Sequence, residues 1–174
     1  MTISDFIDFA NEANDEIGRY KLDDVILSPS KLTTSDFTLS PLIWNSIKYG
    51  PDEVNQVPDD RRGIYAFVLQ HPSNVLPPHG YVLYIGIAGR KSDRSLRARY
   101  RDYLNAKAVV KSRPHIARMI GTWKDVLKFY FAPIDDGVTG EDLEKMEREL
   151  NTALMPPFSK GDLDAKTKKM RSAF

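Results

Sequence analysis

The sequence predicts an α+β fold in which a small three-stranded antiparallel sheet is flanked by helices and preceded by a mainly helical N-terminal extension. Two runs rich in β-branched and aromatic residues, 64–69 and 81–86, have the composition of buried strands. The proline-rich segment between them cannot continue a strand ladder, so we expect the two runs to form a hairpin. A third such run, 126–131, and two segments with helical periodicity complete the pattern.

The N-terminal extension, residues 1–58, contains three predicted elements. Apolar residues recur at helical spacing over residues 6–17, which predicts a first helix. A proline followed by an apolar stretch predicts a second, short helix over residues 42–47. Residues 24–27 have the composition of a short strand. The extension is therefore expected to be mainly helical.

Two amphipathic helices accompany the predicted sheet. The first begins after Ser95 or Asp93, either of which can cap its N-terminus. One side of this helix is apolar, and the opposite, cationic side carries Arg94, Arg97 and Arg101. The second begins at Thr139, where Asp142 completes a capping-box pattern, and runs to about Leu154.

The composition favours one soluble globular domain with an extension. Of the 174 residues, 41% are hydrophobic and 28% are charged, and no apolar run approaches the roughly 20 residues of a membrane-spanning helix. The acidic N-terminus differs from a secretory signal, so we expect a cytoplasmic protein that does not bind membranes. The absence of cysteine excludes disulfides, thiolate zinc sites and a cysteine nucleophile. A metal must be held by oxygen or imidazole ligands.

The net charge of +1 conceals two oppositely charged parts. Residues 1–60 hold 12 acidic and 4 basic side chains, whereas residues 61–174 hold 21 basic and 12 acidic ones. The basic part is a candidate polyanion binder, although mutual neutralisation or ordinary solvated lysines are simpler explanations. Charge and motifs together divide the chain into the acidic extension, a core domain over residues 59–162 and a basic C-terminal tail over residues 163–174. The last ten residues, from Ala165, are rich in lysine, and we expect them to be mobile.

Glu147 lies inside the apolar stripe of the second core helix, four residues after Leu143 and three before Leu150. A carboxylate on that face must be paired or must bind something, because burying an isolated charge is costly. A hard cation at the edge of a cleft and a buried salt bridge with an arginine are about equally consistent with the pattern.

Arg99 and Tyr103 are four residues apart on the first core helix, so their side chains share one face. They can act together on one ligand. The planar guanidinium of Arg99 suits a pair of phosphate oxygens better than a lysine would. For a lone arginine in so basic a helix, however, a solvated position is the simpler explanation.

Two tripeptides on the predicted hairpin are more specific. Residues 63–65 read Gly-Ile-Tyr and residues 84–86 read Tyr-Ile-Gly, and in these tripeptides the chain resembles the GIY-YIG nuclease superfamily. The resemblance covers roughly residues 61–160 and includes the helix with Arg99 and the later Glu147, in the order that the family uses. It implies hydrolysis of phosphodiester bonds in nucleic acid.

The resemblance also implies a role for each residue of the motif. Tyr65 resembles the tyrosine that helps to activate the attacking water, and Tyr84 resembles the second tyrosine, which supports it. Arg99 resembles the arginine that stabilises the phosphoryl group, and Tyr103 stands where members of the family have histidine or tyrosine. Glu147 resembles the sole carboxylate ligand of a catalytic Mg²⁺ or Mn²⁺.

A metal-dependent DNA endonuclease is therefore the expected function, with DNA preferred to RNA as the expected substrate. The mechanism implied is a one-metal hydrolysis. Because an unperturbed tyrosine has a pKa of about 10, Tyr65 requires assistance to accept a proton from water. The side chains expected to contact nucleic acid are Arg97, Arg101, Ser159 and Lys160.

The sequence departs from the family at two positions. Ser159 stands where many members have asparagine, and Ile87 stands where members of one branch carry lysine. A catalytically weak or inactive nucleic-acid-binding or regulatory protein on the same fold is therefore the alternative function. The acidic extension is also a candidate docking surface for a protein partner.

Overall fold

A four-stranded antiparallel sheet lies at the centre of the protein. The computed structural model describes residues 3–22, 42–70, 79–159, 161 and 163–172, and these residues form four strands and six helices. The strands are β1 (Asn45–Lys48), β2 (Gly63–Leu69), β3 (Tyr81–Ala88) and β4 (Leu127–Pro133). The helices are α1 (Ile3–Glu16), α2 (Leu96–Leu104), α3 (Ala106–Ser112), α4 (Pro114–Trp123), α5 (Gly140–Leu154) and α6 (Ala165–Arg171).

The strand order is β1-β4-β2-β3, and each neighbouring pair is antiparallel. The two tripeptides lie side by side on the hairpin, since Tyr65 of β2 is paired with Gly86 of β3. Tyr65 is also paired with Phe131 of β4, so it occupies an interior strand with a partner on each side. Its position is therefore fixed by backbone hydrogen bonds along both edges of β2.

The predicted α+β class and the β2–β3 hairpin are confirmed, but the predicted number of strands is wrong. A fourth strand, β1, lies where the sequence predicted a helix over residues 42–47. Ile47 is 2% exposed whereas the other three residues of the strand are exposed, so a single side chain of this edge strand enters the core. Pairing with the distant β4 decides this conformation, and a short apolar run does not reveal such a partner. The strand predicted over residues 24–27 lies outside the described residues.

The predicted helices at the core are confirmed with their caps. The hydroxyl of Ser95 accepts a hydrogen bond from the backbone N–H of Ala98 at the start of α2. Thr139 and Asp142 form the predicted capping box at the start of α5. The sequence did not predict α3 and α4, which connect α2 to β4, nor the short helix α6 within the basic C-terminal segment.

The two faces of the sheet have different cores. The core on the α2 side is rich in aromatic residues and includes Tyr65, Phe67, Tyr100, Tyr103 and Phe129. The core on the α5 side is aliphatic and includes Ile64, Ala66, Ile85, Leu143 and Leu150. Successive residues of β2 alternate between the two cores, as side chains of a strand must. None of the described helices has the length and apolar character needed to span a bilayer.

Candidate active site

Tyr65 is at the centre of a network of hydrogen bonds between side chains. Its ring is fully buried between β2 and α2. Its hydroxyl oxygen accepts a hydrogen bond from Arg99 Nε at 3.1 Å and lies 2.7 Å from the hydroxyl oxygen of Tyr103. The spacing of four residues on α2 therefore directs both Arg99 and Tyr103 at one atom, the hydroxyl oxygen of Tyr65.

Glycine is required at position 86 because the hydroxyl of Tyr65 occupies the place of a side chain. A Cβ atom on Gly86 would lie 2.5 Å from that oxygen and 2.7 Å from the ring carbon that carries it. Gly63 is restricted in a similar way, since its Cβ would lie 2.3 Å from the carbonyl oxygen of Ala132. Close contacts therefore exclude a side chain at both glycine positions of the tripeptides.

Arg113 extends the network beyond Tyr103, and the sequence did not predict it. Its Nη1 donates a hydrogen bond to the Tyr103 hydroxyl at 2.8 Å, and its Cζ lies 5.3 Å from the centre of the Tyr103 ring. Arg113 stands at the junction of α3 and α4. Because the sequence predicted neither helix, no spacing rule related this arginine to the motif.

Tyr84, Arg99 and Glu147 line one open pocket of about 310 Å³. Tyr84 comes from β3, Arg99 from α2 and Glu147 from α5, so the pocket lies where these elements meet. Its other lining residues are Ile87, Ala88, Gly89, Arg90, Lys91, Ser92 and Arg94. With four basic side chains and one carboxylate in the wall, the pocket suits an anionic ligand together with one cation.

Acidic residues hold several of these basic side chains in place. Arg90 forms an ion pair with Glu144, and Arg94 forms one with Asp102. The other carboxylate oxygen of Asp102 lies 3.6 Å from Arg99 Nη1. The guanidinium of Arg99 therefore has a contact on the Asp102 side as well as its hydrogen bond to Tyr65, which restricts its orientation.

Tyr65 and Tyr84 are protonated at neutral pH. Burial raises the pKa of Tyr65 well above its usual range, and the nearby Tyr103 and Tyr84 raise it further, while Arg99 lowers it. Burial also raises the pKa of Tyr84; Tyr103 and Glu147 add to that effect, and Arg113 opposes it. Neither hydroxyl is a preformed base, so a proton must leave Tyr65 before it can accept one.

Glu147 fits a magnesium-type ion better than a zinc-type ion. No cluster of three or more His, Cys, Asp or Glu side chains that could hold a metal occurs in the described part of the chain. Mg²⁺ retains several waters and commonly uses one or two carboxylates together with substrate phosphates. A single carboxylate in a polar, open pocket matches that requirement, whereas zinc takes three or four protein ligands.

The two arginines predicted to contact nucleic acid lie in different surroundings. Arg97 donates to the carbonyl oxygens of Val57 and Asn55 and to the carboxylate of Asp59, so its guanidinium holds the segment before β2. Arg101 is exposed and lines a second pocket of about 260 Å³, which Arg113 also lines. Of these two side chains, Arg101 is the one accessible to a large ligand.

Ser159 is only 1% exposed, and its hydroxyl bonds to the backbone of β3. It accepts from the N–H of Ile85 at 3.0 Å and donates to the carbonyl oxygen of the same residue at 3.4 Å. Ser159 therefore supports the strand that carries Tyr84 rather than offering a surface contact. Lys160 lies outside the described residues. Ile87, the second departure from the family, lines the pocket.

Asn151 is a buried polar residue that was not among the predicted site residues. It lies one helical turn after Glu147 on α5 and is fully buried. Neither its Oδ1 nor its Nδ2 has a hydrogen-bond partner among the described residues. A buried amide in this state carries a desolvation cost of about 1–3 kcal/mol. Its position four residues after Glu147, on the same side of the helix, was the sequence feature that could have identified it.

Comparisons of the chain with protein-family models, with curated proteins and with solved structures found no match.

Proposed function

We propose that the protein is a divalent-metal-dependent endonuclease of the GIY-YIG type that hydrolyses phosphodiester bonds of DNA. The observation that carries the proposal is the position of Arg99. Its Nε donates to the hydroxyl of Tyr65, and its side chain lines the pocket that contains Tyr84 and Glu147. One arginine thus joins the buried tyrosines to a basic pocket with a carboxylate, and all four residues belong to the motif.

The charge of the pocket supports a phosphate ligand. Arg90, Lys91, Arg94 and Arg99 line it together with a single acidic residue, Glu147. Lysine and arginine side chains that contact phosphate oxygens supply most of the affinity of nonspecific DNA binding. A scissile phosphate bound in this pocket would meet the guanidinium of Arg99, and Glu147 would act on it through a bound divalent cation.

The reaction we propose is attack of water on phosphorus. Tyr65 releases its proton to solvent and then takes a proton from the attacking water, while the water oxygen bonds to phosphorus and the bond to the 3′ oxygen breaks. The 3′ oxygen takes a proton from solvent. Because Tyr65 has no exposed surface, the water must enter between Arg99 and Tyr84, which line the pocket. Arg99 stabilises the charge that develops on the phosphoryl oxygens.

Glu147 is the residue that would hold Mg²⁺ or Mn²⁺ in this pocket. A divalent cation bound there would supply Lewis-acid stabilisation of the phosphoryl and leaving oxygens. The low number of protein ligands agrees with an ion that binds strongly only when the phosphate is present. We therefore expect weak metal binding by the free protein and tighter binding in the complex with DNA.

The test is cleavage of supercoiled plasmid and of a single-stranded substrate with Mg²⁺, Mn²⁺ or EDTA. Glu147→Gln keeps the size of the side chain and removes its charge, and we expect it to abolish cleavage. Glu149→Gln is the matched control, because Glu149 lies on the same helix and pairs with Lys145 outside the pocket. Cleavage by Glu147→Gln at the rate of the control would contradict the proposal.

A second function, binding of nucleic acid without cleavage, has one specific observation in its favour. The hydroxyl of Tyr65 is buried, its pKa is raised, and its neighbours already bond to it. A hydrogen-bonded network of this kind stabilises the fold whether or not the protein catalyses a reaction. Salt-sensitive binding of DNA with no cleavage of either substrate in any metal would favour this second function.

A further inference from the structure

Two arginines from different parts of the chain enclose the hydroxyl pair of Tyr65 and Tyr103. Arg99 donates to the hydroxyl of Tyr65 at 3.1 Å, and Arg113 donates to the hydroxyl of Tyr103 at 2.8 Å. The two hydroxyl oxygens are 2.7 Å apart, and both tyrosines are at most 1% exposed. The four side chains form a continuous row of hydrogen bonds with a cation at each end.

The protons of this row allow two arrangements. Each tyrosine has one hydroxyl proton, and the bond between the two hydroxyls uses one of them. If Tyr65 is the donor, its proton is held between the rings. If Tyr103 is the donor, the oxygen of Tyr65 accepts from both Arg99 and Tyr103, and the proton of Tyr65 is directed away from the pair. The proposed reaction requires the second arrangement.

In the second arrangement, the oxygen of Tyr103 must bear part of the negative charge that forms on Tyr65. When Tyr65 loses its proton, Tyr103 shares the resulting negative charge through the hydrogen bond that it donates. An uncompensated charge is costly in a buried pair. The guanidinium of Arg113 meets this oxygen from the side opposite Tyr65 and remains charged at every relevant pH.

We propose that Arg113 is a positioning residue, which holds Tyr103 as the donor to Tyr65 and stabilises the charge of the deprotonated pair. This inference rests on the proposed nuclease function. Arg113 is suited to the role because its backbone N–H donates to the carbonyl of Val109 at 2.7 Å and its carbonyl accepts from the N–H of Ile116 at 3.0 Å. The junction of α3 and α4 thus fixes the backbone from which the Arg113 side chain extends.

Other charged or titratable groups surround these hydroxyls and must be kept constant in a test. Tyr84 of β3 and Arg99 of α2 act on Tyr65 directly. Asp102 of α2 contacts Arg99, and Glu147 of α5 acts on Tyr84. The change should therefore be confined to Arg113. Arg113→Met keeps the unbranched stem and removes the guanidinium, and Arg113→Lys restores a charge without the fork.

The first experiment is the pH dependence of DNA cleavage by these two variants and by Arg118→Met. Arg118 is an exposed arginine on α4, so its substitution is a matched control. We expect Arg113→Met to lower kcat about 100-fold with less than a threefold change in KM, and to move the rising limb of the profile upward by about one pH unit. Arg113→Lys should recover part of kcat. A rise in KM at unchanged kcat, or the profile of the control, would overturn the proposal.

A second experiment does not require nuclease activity. Tyr103 is replaced by 3,5-difluorotyrosine, whose phenol ionises at lower pH, and its ionisation is followed by phenolate absorption. We expect Arg113→Met to raise the ionisation midpoint by about one pH unit relative to Arg118→Met, because the cation beside the oxygen is lost. An unchanged midpoint would overturn the role of Arg113 even if the protein cuts DNA. A raised midpoint in a protein that cuts no DNA would contradict only the proposed nuclease function.

Discussion

The two faces of the sheet differ in their most deeply buried polar groups. On the α2 face, the hydroxyls of Tyr49, Tyr65, Tyr100 and Tyr103 all have hydrogen-bond partners although they lie within or beside an aromatic core. On the α5 face, the core is aliphatic, and the buried amide of Asn151 has no partner among the described residues. The α2 face is therefore built around its polar groups, whereas α5 contributes mainly packing and a single carboxylate at the pocket.

A second contrast exists within α2, between two arginines that are two residues apart and have different partners. Arg97 makes three hydrogen bonds to the segment before β2, and Arg99 contacts the hydroxyl of Tyr65 and the pocket. A helical step of two residues turns the side chain by about 200°, so neighbours of equal charge serve different purposes. Charge alone therefore does not distinguish the two arginines.

The largest expected effect separates these two arginines. Arg99→Met should lower kcat for DNA cleavage by about 100-fold to 1000-fold, because it removes the side chain that we propose as a donor to the phosphoryl oxygens. Arg97→Met should leave kcat nearly unchanged and lower the free energy of unfolding by about 2 kcal/mol, since three acceptors lose a donor. Single-turnover cleavage and urea unfolding of both variants measure the two quantities. Equal kinetic losses in the two variants would contradict the distinction.

A smaller effect is expected when the close contact between the tripeptides is disturbed. Gly86→Ala places a Cβ 2.5 Å from the hydroxyl oxygen of Tyr65, whose ring cannot move freely in a packed core. We expect the free energy of unfolding to fall by about 1–3 kcal/mol, with loss of cleavage. Gly121→Ala is the control, because its added Cβ would have no described atom within 4 Å apart from its chain neighbours and the backbone of its own helix. Equal stability of the two variants would show that the contact is not restrictive.

The smallest effect concerns the α5 face. Asn151→Leu removes a buried amide that has no partner among the described residues, and we expect the free energy of unfolding to rise by about 1 kcal/mol. Asn105→Leu should have the opposite effect of about 1 kcal/mol, because the side chain of Asn105 caps α3 by accepting from Ala108 N at 3.2 Å. Thermal or urea unfolding of both variants measures the difference. A loss of stability in Asn151→Leu would indicate that the amide has a partner.

The sequence was sufficient where local signals were strong. The hairpin, α2 and α5 follow from residue patterns and caps that act within a few positions, such as Ser95 and Thr139. The strand β1 was missed because its pairing with β4 joins residues about 80 positions apart. The helices α3 and α4 are short, and α4 begins with a proline after a residue that provides no side-chain cap.

The site was predictable to the extent that its residues share elements with regular spacing. Arg99 and Tyr103 could be related by the period of α2, and Glu147 by its place in the stripe of α5. The sequence could not relate Arg113 to Tyr103, since the turn between two unpredicted helices determines that contact. It also did not reveal that Ser159 and Arg97 bond within the fold, because exposure depends on packing.

The most direct test of the account is whether Arg99 of the α2 face and Glu147 of α5 act in one reaction. Single-turnover cleavage of DNA with Mg²⁺ is measured for the wild type, Arg99→Met, Glu147→Gln and the double variant. If both residues serve one transition state, each single variant loses metal-dependent cleavage, and the double variant is no slower than the slower single variant. Cleavage at the wild-type rate by either single variant would contradict the account.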